Sequence, residues 1–579
     1  MASSAERPVR ALAELVRPDR GRWLALGALL TVGSVLQLIG PLIIRRVIDE
    51  ADGGANAGQI TRLAIAFLAV ALATQAVAVV VAWFATTTAW RTTNAIRIRM
   101  TRHVLGLDHE FHRRHTPGEL ISRVDGDVTS VSDFLGEVVP TMVSAAILVL
   151  GMLGVLGVLD WRVALGGLVY VALSLMVVMR GRHRSIAEST DEMSALARLY
   201  GGIEERLTAS EDIRANGAGG HAVWRLVEDS AAAVRSAVRR ERAFLVMWWA
   251  VQGAVAAGSV ISLVASAWML SRGSISIGTA FLLFQYTLLL KRPLEDVVDQ
   301  LETMQKATGA MQRVVALLAV QPDVRDEGTT QPKAGALRVG FRDVSFEYDD
   351  ERGVLHGVDF ELEAGRSLGV VGRTGSGKTT LSRLVLRLVD ATSGTVELGG
   401  VAISDIPMAH LRRRVALIPQ EVELVAGSIR DNVTLFDPVP TDDAVADALC
   451  RVGLSALAQD VHRQLGPAGV GLSAGEAQLL ALARVWIREP DLVVLDEATA
   501  RIDPATEALL EVAVAAMMVG RTVIVIAHRL ATLQRMDEIL VLDHGVVVEH
   551  DDRDVLVASD ASHFHRLLAL ALDDDAVMP

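Results

Sequence analysis

Six long apolar segments occupy the first half of the chain and limit its possible folds more than any other feature. They lie at residues 23–44, 60–84, 138–159, 163–180, 245–270 and 275–295. A helix needs about 20 apolar residues to cross the roughly 30 Å hydrocarbon core of a bilayer, and most of these segments approach that length. The 51% hydrophobic content of the 579 residues also exceeds what soluble proteins usually carry. We therefore predict a six-span helical transmembrane domain over residues 1–320.

Arginine is concentrated in the two long connections, between spans two and three and between spans four and five. The positive-inside rule puts these connections and both termini in the cytoplasm. We expect a multi-pass protein, located in the bacterial cytoplasmic membrane. Within these connections, glycine and proline occur in brief interruptions such as "RHTPGEL" and "ANGAGG". We therefore expect the membrane helices to continue tens of ångströms into the cytoplasm, at 1.5 Å per residue.

Composition excludes several classes of function. A net charge of −13 argues against nucleic acid as a partner, because a phosphate backbone selects basic surfaces. The single cysteine, Cys450, cannot form an internal disulfide, and no cysteine pair exists to bind zinc. We expect Cys450 to be a small buried apolar residue.

The second half of the chain has a different pattern. A polar stretch at 321–336 is typical of a linker. From 337 to 572, short β-branched runs alternate with helical stretches, which predicts a parallel sheet covered by helices, and 573–579 is an acidic tail. The predicted fold is thus a transmembrane helical domain followed by a cytoplasmic α/β domain.

The most specific motif is "GRTGSGKTT", which follows a strand-like run and precedes a helical one. Its residues are Gly372, Arg373, Thr374, Gly375, Ser376, Gly377, Lys378, Thr379 and Thr380. Glycines let the backbone curl until its N–H groups face phosphate oxygens. Lys378, one of only four lysines, is predicted to balance the β- and γ-phosphate charge, and Thr379 to bind Mg²⁺. We therefore predict an ATP site with Mg²⁺.

A second motif, "DLVVLDEATA", predicts a buried strand with two carboxylates at its end. Asp496 suits Mg²⁺, and Glu497 suits a general base that activates the attacking water. The later run "VIVIAHRL" is another predicted strand, after which His528 is positioned to contact the γ-phosphate.

Together with "LIPQ", "LSAGE" and "ARIDP", these motifs occur in the order found in ABC transporter nucleotide-binding domains. The whole chain resembles exporter-type ABC half-transporters, which include lipid flippases and multidrug pumps. The resemblance implies that two chains dimerise and enclose two ATP molecules, each between one chain's P-loop and the other chain's signature. It also implies that Tyr348 stacks on adenine, that Gln420 contributes to the Mg²⁺ site, and that Asp503 lies in the D-loop. The interruptions near 110–117 and 209–217 resemble coupling helices.

The signature departs from the family pattern, L-S-G-G-Q. The resemblance implies that four signature residues face the partner's ATP, namely Ser473, Ala474, Gly475 and Glu476. Ala474 adds a methyl group, and Glu476 adds negative charge if it faces the phosphate. Pro467 also replaces the glutamate usual in the preceding loop. We favour a heterodimer with one degenerate ATP site, while a homodimer with two equal, slower sites stays open.

The cargo is less specified. Because no charged residue lies in the middle of a predicted span, we expect an apolar or amphipathic small molecule, lipid or peptide, taken from membrane lipid. Glu295, Asp296 and Asp299 are expected to face solvent. The alternatives are a homodimeric exporter or lipid flippase, an exporter-fold importer of siderophore-like cargo, and an ATP-gated channel or regulatory protein.

Overall fold

The computed structural model describes residues 19–348, 353–466, 471–496, 504–527 and 530–575. Contacts divide the chain into two units. The first contains the residues up to Gly106 together with His115–Val320. The second contains Leu107–Arg114 and the residues from Gln321 onward, so a short segment between two membrane helices groups with the α/β part.

The first unit is entirely helical over its described residues. The helices up to residue 319, in chain order, are α1 (Arg20–Asp52), α2 (Ala57–Leu105), α3 (His109–Arg114), α4 (Pro117–Leu159), α5 (Trp161–Thr208), α6 (Ser210–Ala215), α7 (Gly219–Ser271), α8 (Ile277–Leu289) and α9 (Lys291–Ala319). Of these, only α3 groups with the second unit. Within α4, the stretches Ser122–Asp127 and Phe134–Val138 are π-helical. Among the described residues, five helical stretches are long and apolar enough to cross a membrane, namely α1, α2, α4, Trp161–Arg180 of α5, and α7.

The sixth predicted span is divided. Its apolar residues form the 13-residue helix α8, and α9 starts two residues after α8 ends. Pro293 explains the break, because its ring clashes with the carbonyl of the residue four positions earlier, Leu289, and has no N–H to bond it. The apolar segment therefore forms a helix with a break after Leu289 rather than one uninterrupted helix.

The long membrane helices do continue well beyond the predicted spans. Helix α2 has 49 residues and α7 has 53. At 1.5 Å per residue these helices are about 75–80 Å long, more than twice a bilayer core.

The second unit is built on twelve strands and nine α-helices in its described part beyond the linker. The strands are β1 (Val339–Phe346), β2 (Leu355–Leu362), β3 (Ser367–Val371), β4 (Ser393–Leu398), β5 (Val401–Ala402), β6 (Val415–Ile418), β7 (Gly427–Ser428), β8 (Gln464–Leu465), β9 (Leu492–Asp496), β10 (Thr522–Ile526), β11 (Glu538–Asp543) and β12 (Val546–Asp552). The helices are α10 (Lys378–Val385), α11 (Met408–Arg414), α12 (Ile429–Thr434), α13 (Asp442–Arg451), α14 (Ser455–Ala458), α15 (Ala474–Trp486), α16 (Pro504–Met518), α17 (Arg553–Ala558) and α18 (His563–Asp575).

A six-stranded sheet organises this unit, in the order β12-β11-β3-β10-β9-β6. Its strands pair in parallel except for β12, which pairs antiparallel with β11. Alternate residues of β9 and β10 belong to two separate apolar clusters, as expected for a sheet covered on both faces. A four-stranded antiparallel sheet, β2-β1-β4-β5, and the pair β7-β8 complete the unit. The predicted fold class is confirmed.

The stretch 321–336 has no helix or strand, but it is held by hydrogen bonds to the second unit. The guanidinium group of Arg414 donates hydrogen bonds to the carbonyl oxygens of Pro332, Lys333 and Gly335 at 2.7–2.9 Å. Arg414 is 9% exposed and is also paired with Asp491. The linker is therefore fixed along the surface of the second unit.

The prediction for Cys450 is wrong, because the structure places this residue on the surface. The buried residues of its helix α13 are Val445, Ala448 and Leu449. These follow the three- and four-residue spacing of one helix face, and Cys450 falls beside that stripe.

Candidate functional site

The six-stranded sheet brings three of the predicted motifs to one edge. The P-loop follows β3, Gln420 follows β6 by two residues, and Asp496 is the last residue of β9. Because these strands are parallel, their carboxyl ends meet at the same edge, where ligands of open α/β sheets bind. The sheet topology therefore places these three parts of the predicted ATP site together.

Two glycines of the P-loop are required by its geometry. Gly377 has φ +104°, and a Cβ atom there would lie 2.6 Å from a methyl carbon of Leu355. At Gly372, a Cβ atom would lie 2.1 Å from the carbonyl oxygen of Leu542. Any larger residue would open the loop, so the cradle of N–H groups depends on both glycines.

Two side chains of the loop match a polyphosphate ligand. Lys378 is 5% exposed, and its Nζ donates to the carbonyl oxygens of Gly372 and Arg373 at 2.6 and 3.0 Å. Ser376 is 3% exposed, and its Oγ has no hydrogen-bond partner among the described residues. A buried ammonium group and an unsatisfied buried hydroxyl suit an anion at the start of α10.

The residues predicted to hold Mg²⁺ are compatible with that ion. Thr379 is exposed on the first turn of α10, Gln420 is exposed, and Asp496 is half-buried. Among the described residues there is no group of three or more His, Cys, Asp or Glu side chains that could hold a metal alone. A Mg²⁺ ion fits such a sparse set of oxygens, since it usually completes its shell with water and substrate phosphates.

Tyr348, the residue expected to stack on adenine, is 7% exposed. Its hydroxyl accepts a hydrogen bond from Nη1 of Arg383 at 2.8 Å and lies 3.4 Å from the hydroxyl of Thr380. The guanidinium carbon of Arg113 lies over the ring, 4.7 Å from its centroid. The tyrosine thus adjoins the P-loop helix, with its ring already covered.

The signature residues form the start of helix α15. Ser473 is the N-cap, and its hydroxyl accepts from the N–H of Glu476 at 3.2 Å. In return, the carboxylate of Glu476 accepts from the N–H of Ser473 at 2.8 Å and lies 3.0 Å from its hydroxyl. Ala474 is exposed, while Gly475 is buried. A negative side chain therefore lies at the helix N-terminus, where the partial positive charge of the helix is concentrated.

Three predicted residues and one sequence departure lie outside the described part of the chain. These are Glu497, Asp503, His528 and Pro467. Their roles remain predictions from the sequence.

Sequence reasoning missed two residues that contact the predicted site. Gln478 donates from Nε2 to the carbonyl oxygen of Gln420 at 2.8 Å, which joins the signature helix to the segment after β6. Arg113 covers Tyr348 although 235 residues separate the two in sequence. Local sequence patterns do not encode contacts between residues so far apart along the chain. For Arg113, the sequence signal was the resemblance of residues 110–117 to a coupling helix.

The first unit contains a cavity of about 660 Å³ between α1, α2, α4 and the α8–α9 region. Apolar residues such as Leu148 line part of it, and five serine and threonine residues, Gln37 and three charged residues, Glu137, Arg292 and Asp296, line the rest. The expectation that Asp296 faces solvent is wrong, because this residue is half-buried and lines the cavity, whereas Asp299 is exposed as expected.

Comparison with known proteins agrees with this architecture. The family model of the ABC transporter transmembrane region matches residues 23–294, and that of the ABC transporter ATPase domain matches 355–500. An uncharacterized ABC transporter ATP-binding protein of Bacillus subtilis is 27% identical over 564 residues, which cover 94% of this chain and 92% of the relative. An ATP-dependent lipid A-core flippase of Pseudomonas fluorescens is 28% identical over 487 residues, which cover 83% and 80%. The solved structure of a bacterial Atm1-family ABC exporter with ATP bound has the same fold, with a TM-score of 0.83 at 22% identity over 95% of this chain and 98% of that one.

Membrane-spanning helices joined to a P-loop domain define an ATPase that couples hydrolysis of ATP to transport across a membrane. The chain belongs to the ABC transporter superfamily, with the transmembrane and nucleotide-binding domains in one polypeptide and the fold of the exporter structure above.

Proposed function

We propose that the chain is one half of an ABC exporter that moves an apolar or amphipathic substrate out across the bacterial cytoplasmic membrane. Its partner is a second, different half-transporter, and one of the two shared ATP sites is degenerate. Residues of the P-loop hold ATP, with Thr379, Gln420 and Asp496 around Mg²⁺. Glu497 acts as the general base on the attacking water, and His528 contacts the γ-phosphate.

The observation that supports unequal sites is the pairing of Glu476 with Ser473. In the proposed dimer, the hydroxyl and N–H groups at the start of α15 would bind the γ-phosphate of the partner's ATP. Here a carboxylate lies within 3.0 Å of that hydroxyl. Because a carboxylate repels a phosphate and keeps both Ser473 donors engaged, this signature is a weak ligand for the partner's nucleotide.

The P-loop of the same chain has no comparable defect. Its glycines, Lys378 and Ser376 have the conformations and burial that a polyphosphate requires. A chain that binds its own ATP well and its partner's ATP poorly suits a heterodimer in which only one site needs to be fully active.

The proposed cargo follows from the cavity of the first unit. A mixed lining of apolar, hydroxyl-bearing and charged residues suits an amphipathic molecule. The similarity to a protein named as a lipid A-core flippase supports a lipid as one form of that cargo.

The direct test is transport by the chain reconstituted into proteoliposomes, alone and together with the product of its neighbouring gene as the candidate partner. A fluorescent lipid and an amphipathic dye serve as probes, and ATP is supplied to the face that carries the nucleotide-binding domains. We expect ATP-dependent movement of at least one probe away from that face, and no movement with Glu497→Gln. Movement towards that face would indicate import, and movement only down a gradient without hydrolysis would indicate a channel.

A further inference from the structure

The short segment before and within α3 is held onto the second unit. The carboxylate of Asp108 accepts hydrogen bonds from the N–H of Phe111 at 3.0 Å and of Asp323 at 2.6 Å. Leu107 is buried. Because Asp108 binds both α3 and the start of the linker, α3 is fixed beside the residues of the predicted adenine site.

Arg113, on α3, lies over the ring of Tyr348 and is oriented by a carboxylate. Its Nε and Nη2 donate to the two oxygens of Glu110 at 3.0 and 2.9 Å. These hydrogen bonds hold the pKa of Glu110 below its usual value, with a smaller contribution from Arg114. The ion pair is therefore kept at neutral pH, and it presents the flat guanidinium group to the aromatic ring.

Two further residues contact Tyr348. Phe346 packs against it edge-on, with ring centroids 4.7 Å apart, and Arg383 holds its hydroxyl. An aromatic base stacked on this ring needs a centroid separation of about 4.5 Å or more, which is the space that Arg113 fills. A base cannot stack on a 7% exposed ring unless a neighbour moves.

We propose that Arg113 occupies the adenine-binding face of Tyr348, so that the base of ATP has to displace it. The inference rests on the proposed function, in which Tyr348 stacks on adenine. Arg113 is then a residue of the nucleotide site that competes with the base. Displacement frees a side chain of the segment between the second and third membrane-spanning stretches each time ATP binds.

The direction in which ATP affinity changes when Arg113 is removed distinguishes competition with adenine from simple charge attraction to ATP. An arginine that helps to hold ATP contributes favourable charge, so its removal weakens binding. An arginine that competes with adenine opposes binding, so its removal tightens it. A cation–π contact contributes enough binding energy that its loss at Arg113 is expected to lower the Kd for ATP about three- to tenfold.

The experiment measures binding of a fluorescent ATP analogue to the full-length transporter in nanodiscs, with inorganic tripolyphosphate as a competitor that has no base. We expect Arg113→Ala to tighten ATP binding about three- to tenfold while tripolyphosphate affinity stays the same. Arg114→Ala is the matched control, because Arg114 is the next residue of α3 and binds the same Glu110 at 2.9 Å. It removes the same charge and should not tighten binding.

Tyr348→Leu separates failure of the inference from failure of its premise. We expect this variant to lose base-dependent affinity and to abolish the effect of Arg113→Ala in the double variant, since the two residues act on each other. Weaker or unchanged ATP binding in Arg113→Ala overturns the competition. Equal tightening of tripolyphosphate overturns it as well. If Tyr348→Leu binds ATP normally, the adenine role assigned to Tyr348 is itself wrong.

Discussion

At the scale of single residues, nucleotide binding depends most on the buried ammonium group of Lys378. In the described structure it donates to two loop carbonyls, and β- and γ-phosphate oxygens would take their place. Hydrogen bonds to charged groups contribute about 1.5–3 kcal/mol, so we expect Lys378→Ala to weaken ATP binding roughly 10- to 100-fold. Titration with a fluorescent ATP analogue measures the change. Lys333→Ala, at an exposed linker position, is the control and should bind as the unmodified chain does.

The carboxylate of Glu497 acts at a later step. If it activates the attacking water, Glu497→Gln keeps ATP binding and slows hydrolysis by roughly two or more orders of magnitude. The variant should accumulate as a closed, ATP-bound dimer, detectable by the release rate of labelled nucleotide. Normal turnover in this variant would exclude Glu497 as the base.

At this scale, sequence reasoning locates residues well where the requirement is local, while their roles in binding ATP stay predictions. The P-loop glycines, the ammonium group of Lys378 and the strand end at Asp496 follow from the chemistry of a short stretch. The surface position of Cys450 and the cavity position of Asp296 were predicted wrongly, because both depend on which helix face meets its neighbours. The contact of Arg113 with Tyr348 depends on packing between distant parts of the chain, which no local pattern encodes.

At the scale of elements, Arg414 determines how the linker is held. It is nearly buried and donates to three linker carbonyls while pairing with Asp491. Its loss leaves a carboxylate and several carbonyls without their partner, so we expect Arg414→Ala to destabilise the second unit by roughly 2–4 kcal/mol. Limited proteolysis should then cut within 321–336, and thermal unfolding should shift downward.

Arg413→Ala is the matched control for that experiment. Arg413 is the preceding residue of α11 and is exposed. Surface substitutions usually change stability by less than about 0.5 kcal/mol, so proteolysis of the linker should be unchanged. Equal effects from both variants would mean that the linker is not held by Arg414.

The elements themselves were largely predictable, and the exceptions have local causes. Long apolar runs predicted the membrane helices, and short β-branched runs predicted the parallel strands. The break between α8 and α9 follows from Pro293, a local signal that the length of the apolar run alone does not include. The attachment of the linker to the second unit could not be predicted from the sequence, because it depends on hydrogen bonds from Arg414, which lies on a helix about 80 residues further along the chain.

At the scale of the whole molecule, the central claim is that two different chains share the ATP sites unequally. The intact P-loop and the Ser473–Glu476 pair in the same chain support it. In a heterodimer, this signature completes only the weaker site, and the active site uses the partner's signature. In a homodimer, the same signature would complete both sites, so any defect in it would limit all hydrolysis.

The most direct test compares ATP hydrolysis by this chain alone and with the product of its neighbouring gene as candidate partner, each with and without the double change Ala474→Gly and Glu476→Gln. Each ~1.4 kcal/mol recovered in the transition state gives about tenfold in rate. Our account predicts that the chain alone is nearly inactive and that the pair is active, with a rate that the double change alters by no more than a fewfold. A chain that hydrolyses ATP alone and becomes roughly tenfold or more faster with the two substitutions would contradict it.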